Sequence, residues 1–214
     1  MAGLVPATPL GPAPAAGMTL TRKTDATPSA DTNAPYADLL PRQGDLWVFG
    51  YGSLMWDPGF DYAEAAKGVL HGYHRAFCMY SERHRGTPER PGLVLALDRG
   101  GCCHGIAYRV RRTLAEDVLA YLWQREMPRY AYLPRILSTK VGGTAARCVT
   151  FVADRGKPNY AGRLTPGEAA RIIAGAAGER GTNRDYLAST VRHLDELGIP
   201  DGPIHAIQRI VAQG

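Results

Sequence analysis

The feature that most constrains this chain is a glycine-rich segment that directly follows a short apolar run. The run, Leu46-Trp47-Val48, has residue types that are common in β-strands. The segment that follows it, residues 49–54, consists of Phe49, Gly50, Tyr51, Gly52, Ser53 and Leu54. Glycines at the end of a strand let backbone N–H groups approach a ligand closely and form a concave site for an anion. The pattern predicts a strand that ends in a tight loop, which is either an ordinary turn or a ligand-binding element.

This segment fits none of three widespread ligand-binding motifs. It lacks the third glycine of a dinucleotide-binding fingerprint, and no Gly-Lys-Ser/Thr follows it as in a phosphate-binding loop. Met55 stands where the nucleophile elbow of a hydrolase has its second glycine. The chemistry of the loop therefore has to be inferred from other parts of the chain.

The length and composition are those of an ordinary globular protein. The 214 residues suffice for one domain with a substantial core, and 45% of them are hydrophobic while 21% are charged. The formal net charge of +5 comes from scattered Lys and Arg residues, and aromatic residues do not alternate with them as in a nucleic-acid-binding surface. No apolar run approaches the length of a membrane-spanning helix. We therefore expect no nucleic-acid partner, no membrane partner and no obligate protein partner.

Residues 1–43 differ from the rest of the chain in their proline content. The prolines of this segment are Pro6, Pro9, Pro12, Pro14, Pro28, Pro35 and Pro41. Because prolines disrupt helices and the segment has little to bury, it is predicted to be disordered. Residues 1–17 contain no Lys or Arg, which argues against a signal peptide. The sequence thus predicts a disordered tail over residues 1–43 and one folded domain over residues 44–214.

The cysteines indicate neither a metal site nor a disulfide framework. Cys78, Cys102, Cys103 and Cys148 lack the spacing of zinc ligands. Their sparse use in a chain of this length indicates free thiols in a reducing compartment, so we expect a cytoplasmic protein. A nucleophilic cysteine would need a nearby base, and a free cysteine usually serves as a small apolar side chain. We predict no metal and no cofactor.

Strands are predicted in the first two thirds of the chain and helices mainly in the last third. The predicted strands after the first are residues 69–79, 93–97, 105–110, 135–141 and 146–153. Residues 98–101 are interpreted as the turn of a hairpin, and the charged loop over residues 81–91 is long enough to be functional. Because strands and helices do not alternate regularly, this order predicts an α+β fold. Its sheet is mostly antiparallel and able to close into a small barrel.

Two capping-box patterns mark helix starts. Thr113 is followed three residues later by Glu116, and Thr165 is followed by Glu168. The predicted helices are residues 114–126, a helix that starts at Pro166, residues 184–197 and a short helix after Pro203.

One carboxylate of the first predicted helix lies within its apolar face. On a projection at about 100° per residue, Glu126 falls between Leu119 and Leu122 if the helix continues that far. Burial would raise the pKa of this carboxyl group unless an opposite charge lowers it, and a carboxylate with a raised pKa can act as a general base. An ordinary interpretation is also open, in which the helix end frays and Glu126 turns to solvent or pairs with an arginine.

Several segments of residues 45–205 occur in an order that is typical of one enzyme family. They are residues 49–58, Tyr80-Ser81, residues 84–92, Trp123-Gln124-Arg125-Glu126-Met127, Asn159-Tyr160-Ala161-Gly162 and Gly181-Thr182-Asn183-Arg184-Asp185-Tyr186-Leu187. Together they resemble the ChaC family of γ-glutamylcyclotransferases, and the resemblance covers nearly everything outside the proline-rich tail.

The resemblance implies a compact β-barrel with helices packed around it. It also implies cleavage of glutathione to 5-oxoproline and cysteinylglycine, with Glu126 as the catalytic glutamate. The substrate-binding residues that follow from it are Phe49, Gly50, Tyr51, Gly52, Ser53, Leu54, Arg85 and Tyr160. For two of these a structural role is also open, since Arg85 lies in a polar loop and Tyr160 has the residue type of a core contact.

Two alternative functions remain open at this point. A cyclotransferase acting on other γ-glutamyl amines or dipeptides would use the same chemistry with a different leaving group, although relatives of that kind lack the pattern of residues 84–92. A non-enzymatic regulator of ion transport would have no use for a buried carboxylate opposite a glycine-rich loop.

Overall fold

The apolar run and the first two residues of the glycine-rich segment, Phe49 and Gly50, belong to the first strand of a closed five-stranded barrel. The computed structural model describes residues 34–127 and 132–213. The barrel strands are β1 (Leu46–Gly50), β2 (Glu64–Ser81), β3 (Gly92–Val110), β4 (Tyr132–Val141) and β5 (Thr144–Ala153). Their order is β1-β3-β2-β4-β5, and β1 closes the barrel by pairing in parallel with β5. The pairings β1–β3, β2–β3, β2–β4 and β4–β5 are antiparallel, which confirms the predicted α+β fold with a mostly antiparallel barrel.

Helices pack against this barrel through two separate core clusters. In the described part of the chain they are α1 (Ala115–Glu126), α2 (Pro166–Gly175), α3 (Asn183–Glu196) and α4 (Gly202–Gln213). Helix α1 shares one cluster with apolar residues of β1 and β5, and α2, α3 and α4 share the other with β2 and β3. A two-stranded sheet, β6 (Ala177–Gly178) with β7 (Gly181–Thr182), connects α2 to α3. Helix α4 has 12 residues and is longer than the short helix predicted after Pro203.

The hairpin predicted within residues 93–110 is wrong. These residues belong to one long strand, β3, and both of its halves pair with β2, with Leu97 opposite Arg75 and Gly105 opposite Gly68. Gly100 and Gly101 have φ angles of 102° and 71° and lie beside a shift in the β2–β3 register. The glycines therefore form an irregularity that bends the strand without reversing it. The chain reverses before this strand, at the loop over residues 82–91 that joins β2 to β3.

One of the two predicted capping boxes is confirmed. The Glu168 N–H donates to Thr165 Oγ1 over 3.3 Å, and the Thr165 N–H donates to Glu168 Oε2 over 2.8 Å. The capping box predicted at Thr113 is wrong, because a 3-10 turn over Arg112–Leu114 precedes α1 and its N-cap residue, Leu114, makes no side-chain capping bond. The predicted end of this helix at Glu126 is confirmed.

Most of the predicted tail lies outside the described residues. Residues 1–33 are not described, so their disorder stays a prediction. Residues 34–43 include a 3-10 turn at Ala37–Leu39, and Tyr36 and Leu40 pack against the core cluster of α1. The last part of the segment assigned to the tail therefore contacts the folded domain.

Candidate active site

The loop after β1 is fixed by contacts from the barrel wall. The Tyr108 hydroxyl lies 2.9 Å from Leu54 O and 2.8 Å from Met55 O, inside the core. A Cβ atom on Gly50 would lie 3.0 Å from Leu54 Cβ, so the absence of a side chain lets the chain fold back closely on itself. The loop is therefore anchored by the hydroxyl of Tyr108, a residue of β3 that lies far from it in sequence.

Two backbone donors of this loop are available to a ligand. The loop continues into a 3-10 turn over Ser53–Met55, in which the Met55 N–H donates to Gly52 O over 2.9 Å. No backbone oxygen among the described residues accepts a hydrogen bond from the N–H groups of Gly52 or Ser53. Consecutive N–H groups without a backbone acceptor can bind an anion, and an anion site at this loop stays a prediction.

A cavity of about 70 Å³ lies beside the loop. Its lining consists of Tyr51, Gly52, Ser53, Leu54, Leu95, Glu126, Tyr132, Phe151 and Tyr186. The loop thus shares the cavity with the last residue of α1 and with tyrosines from β4 and α3. Among these lining residues Glu126 carries the carboxylate, so the cavity combines backbone donors, phenol groups and an acid.

The carboxyl group of Glu126 is shielded from solvent. Glu126 is the last residue of α1 and follows the buried Leu119 and Leu122 on the apolar face of the helix. Its side chain is 18% exposed, and the Arg125 Nε lies 3.4 Å from its Oε1. Burial raises the pKa of Glu126 above its usual value, and the weaker effect of Arg125 lowers it only in part. A carboxylate in this state accepts a proton more readily than an exposed one.

Three tyrosines surround this carboxylate and remain protonated. Burial raises the pKa of Tyr51 and Tyr132 well above the usual range and that of Tyr186 to about 12, and the negative charge of Glu126 adds to each shift. The Tyr132 hydroxyl donates to Leu95 O over 3.2 Å. The phenols therefore act as neutral hydrogen-bonding groups and do not compete with Glu126 for the role of base.

Arg125 connects the end of α1 to the loop. Its Nη2 donates to Ser53 Oγ over 2.9 Å, and its Nη1 donates to Asp57 O over 2.9 Å and to the Tyr121 hydroxyl over 2.8 Å. Since these bonds involve both loop and helix, they keep Glu126 in a fixed position relative to the backbone donors of the loop.

A larger groove of about 670 Å³ includes His74 and Asp98 in its lining. Asp98 is buried and accepts from Arg155 Nε over 2.7 Å and from the Tyr160 hydroxyl over 3.0 Å. Burial alone would raise the pKa of Asp98, but the hydrogen bonds from Arg155, the Arg99 N–H and Tyr160 lower it overall. Asp98 is therefore held ionised as a structural anion. Tyr160 contacts Asp98 but lines neither this groove nor the smaller cavity.

Arg85 lies behind the cavity wall. Its guanidinium carbon is 4.9 Å from the centroid of the Tyr186 ring, and its Nη1 donates to Arg180 O over 2.5 Å. Arg85 therefore contacts a lining residue without lining the cavity itself.

The predicted site residues divide into two groups. Those that line the cavity are Tyr51, Gly52, Ser53, Leu54 and Glu126. Those that do not are Phe49, Gly50, Arg85 and Tyr160, and of these Phe49 is 1% exposed within the core. The lining residues that the sequence did not single out are Leu95, Tyr132, Phe151 and Tyr186. Tyr186 lies in the motif over residues 181–187, which was a usable signal, whereas the other three have no local pattern that marks them.

The cysteine thiols, the candidate metal ligands and the helix lengths bear on other kinds of function. Burial raises the pKa of Cys78 to about 12 and that of Cys103 to about 11, so neither thiol ionises readily. Within the described ranges, no group of three or more His, Cys, Asp and Glu side chains lies close enough together to hold a metal ion. No helix in residues 34–127 or 132–213 is both long and apolar enough to cross a membrane.

Comparison with solved structures and curated sequences defines the class and then the family of this chain. The fold is similar to that of crystal structures of the glutathione-specific γ-glutamyl cyclotransferase from yeast. One of these has a TM-score of 0.72 and 22% sequence identity, covering 80% of this chain and 97% of that one. A family model described as "ChaC-like protein" matches residues 46–213, and the chain belongs to this family.

Curated relatives support the same assignment. The glutathione-specific γ-glutamylcyclotransferase of Escherichia coli K12 is 37% identical over 178 residues, which are 81% of this chain and 77% of that protein. Glutathione-specific γ-glutamylcyclotransferase 1 of Danio rerio is 36% identical over 77% of this chain and 86% of its own length. The Schizosaccharomyces pombe enzyme is 32% identical over 79% of this chain and 92% of its own.

Proposed function

We propose that this protein is a γ-glutamylcyclotransferase that cleaves glutathione to 5-oxoproline and cysteinylglycine, with Glu126 as the general base. The observation that carries the proposal is a carboxylate with a burial-raised pKa, in the same 70 Å³ cavity as the backbone donors of Gly52 and Ser53. Family membership and the names of the relatives support glutathione as the substrate.

The reaction needs no nucleophile from the protein, because a γ-glutamyl amide contains its own. Glu126 takes a proton from the α-ammonium group, and the resulting amine attacks the γ-carbonyl carbon to form a C–N bond within a five-membered ring. The bond from that carbon to the cysteinyl nitrogen then breaks, and the leaving amine receives the proton from Glu126. The ring nitrogen still carries one proton more than the lactam product, and Glu126 accepts this second proton and passes it to the released amine or to solvent. Atoms balance without water, and the protein contributes mainly by holding amine and carbonyl in contact.

The loop supports the ionic part of substrate recognition. The N–H groups of Gly52 and Ser53 are suited to bind the α-carboxylate of the γ-glutamyl group, because charge-assisted hydrogen bonds from backbone donors are strong in a site of low polarity. The protonated phenols of Tyr51 and Tyr186 can donate to the γ-carbonyl oxygen as negative charge develops there, whereas the Tyr132 hydroxyl donates to Leu95 O. Arg85 supports the site indirectly, through its contact with Tyr186.

Two alternative functions are distinguished by product analysis. Purified protein is incubated separately with glutathione, γ-Glu-Ala and γ-glutamyl-ε-lysine, and 5-oxoproline is detected by mass spectrometry. We expect 5-oxoproline and cysteinylglycine from glutathione. Release from only one of the other compounds would keep the mechanism and replace the substrate. Absence of 5-oxoproline from all three, with the protein folded, would reject the enzymatic function and favour a binding or regulatory role.

A further inference from the structure

Arg75 is a buried arginine at the centre of four structural elements. Its side chain is 1% exposed. Its Nη1 donates to Asp201 Oδ2 over 2.7 Å and its Nη2 to His104 O over 2.7 Å, with Met55 Sδ at 3.5 Å. Asp201 in turn accepts the Ile204 N–H of α4 over 3.2 Å. Arg75 thus joins β2 to β3, to the start of α4 and to the glycine-rich loop.

Arg75 contacts the loop at the peptide group that joins Tyr51 to Gly52. Arg75 Nε donates to Tyr51 O over 2.5 Å. Because a trans peptide is planar, its C=O and N–H groups point in opposite directions. When Tyr51 O points at Arg75, the Gly52 N–H must point away from it, and Gly52 lines the cavity. Arg75 therefore determines the direction of a donor that it does not touch.

The charge of Arg75 also affects the strength of this donor. A hydrogen bond from a cation to the carbonyl oxygen of a peptide polarises that peptide, which makes its N–H a stronger donor in surroundings of low polarity. Lysine would not replace this function, because a single ammonium group cannot reach the Tyr51, His104 and Asp201 oxygens with the forked geometry of a guanidinium group.

We propose that Arg75 is a positioning residue of the active site, which orients and strengthens the Gly52 N–H for binding the α-carboxylate of a γ-glutamyl substrate. This inference rests on the proposed function of the cavity and adds a residue that lies outside its lining. In this proposal Arg75 affects the affinity for the substrate, whereas Glu126 transfers the proton.

The test compares Arg75→Lys with Arg155→Lys. Arg155 also pairs with a buried carboxylate, that of Asp98, over 2.7 Å, but it contacts neither the loop nor Glu126. Initial rates of 5-oxoproline release from glutathione are measured well below the melting temperature of each variant. Loss of a charge-directed hydrogen bond predicts that KM of Arg75→Lys rises about 10- to 100-fold while kcat changes by less than about threefold. Arg155→Lys should retain the wild-type KM.

Each outcome bears on the inference. An unchanged KM in folded Arg75→Lys, or an equal rise in both variants, would overturn it while leaving the proposed function intact. A wild-type protein that releases no 5-oxoproline would reject the proposed function and this inference with it.

If Arg75→Lys does not fold, NMR of ¹⁵N-labelled wild type with 5-oxoproline as the probe decides. We expect the Gly52 amide and Arg75 Nε–H resonances to shift together, and a shift at Gly52 alone would contradict the coupling.

Discussion

At the scale of single residues, the chemistry of Glu126 depends on the direction of its neighbour, Arg125. The Arg125 Nη atoms bind Ser53, Asp57 and Tyr121, and its Nε lies 3.4 Å from the Glu126 carboxylate. An arginine that paired fully with Glu126 would lower the pKa of this carboxyl group. Because Arg125 is directed to the loop, burial prevails and the pKa of Glu126 stays raised.

This raised pKa predicts a measurable dependence of stability on pH. The folded protein holds the Glu126 proton more tightly than the unfolded chain, whose carboxyl pKa is near 4.5. The free energy of unfolding contributed by this group therefore falls as the pH rises from about 4.5 through the raised pKa. Glu126→Gln removes this loss, so the variant should be at least as stable as wild type at pH 7. Urea unfolding of both proteins between pH 4 and pH 8 measures the difference.

A matched control is available on the same helix. Asp117 lies on the exposed face of the first turn of α1, and Asp117→Asn makes the same chemical change without altering the cavity. This control should keep the wild-type pH dependence, with a small loss of stability because an acidic residue favours a helix N-terminus. If Glu126→Gln loses stability over this pH range as steeply as wild type, then burial does not raise the Glu126 pKa.

At the scale of elements, local patterns predicted helix and strand types better than their connections. Glycine pairs are common in turns, and Gly100-Gly101 was interpreted accordingly. The same positive φ angles also occur where a continuing strand bends, and the pairing of residues on both sides with β2 decides between the two. That pairing joins residues far apart in sequence, so no local pattern contains it.

The two capping boxes give a prediction at this scale. Thr165→Ala removes the Oγ1 that accepts the Glu168 N–H, and it should lower the free energy of unfolding by about 1 kcal/mol. Thr113→Ala is the matched control, since Thr113 is exposed and lies in the 3-10 turn before α1, and its effect should stay within about 0.5 kcal/mol. Urea denaturation measures both, with cyclotransferase activity unchanged in each variant. Equal losses would mean that the capping box at Thr165 does not stabilise α2.

At the scale of the whole molecule, the barrel brings together groups that are distant in sequence. Glycines after a predicted strand marked residues 51–54 as a candidate ligand-binding loop. In the structure these residues form one wall of the cavity. The projection of α1 placed Glu126 within the apolar face of the helix, and the resemblance to the ChaC family singled it out as the catalytic residue. Tyr132 and Arg75 left no such signature, since each depends on which strands become neighbours when the barrel closes. The order of the strands therefore limits what can be predicted about the site from the sequence.

The central claim is that Glu126 transfers the proton in an intramolecular cyclisation. The most direct test is the rate of 5-oxoproline release from glutathione by wild type and Glu126→Gln, with Asp117→Asn as the control. Loss of a general base predicts that kcat of Glu126→Gln falls by about 10²- to 10⁴-fold, with a folded protein and a control at the wild-type rate. A folded Glu126→Gln that turns over glutathione at close to the wild-type kcat would contradict the account.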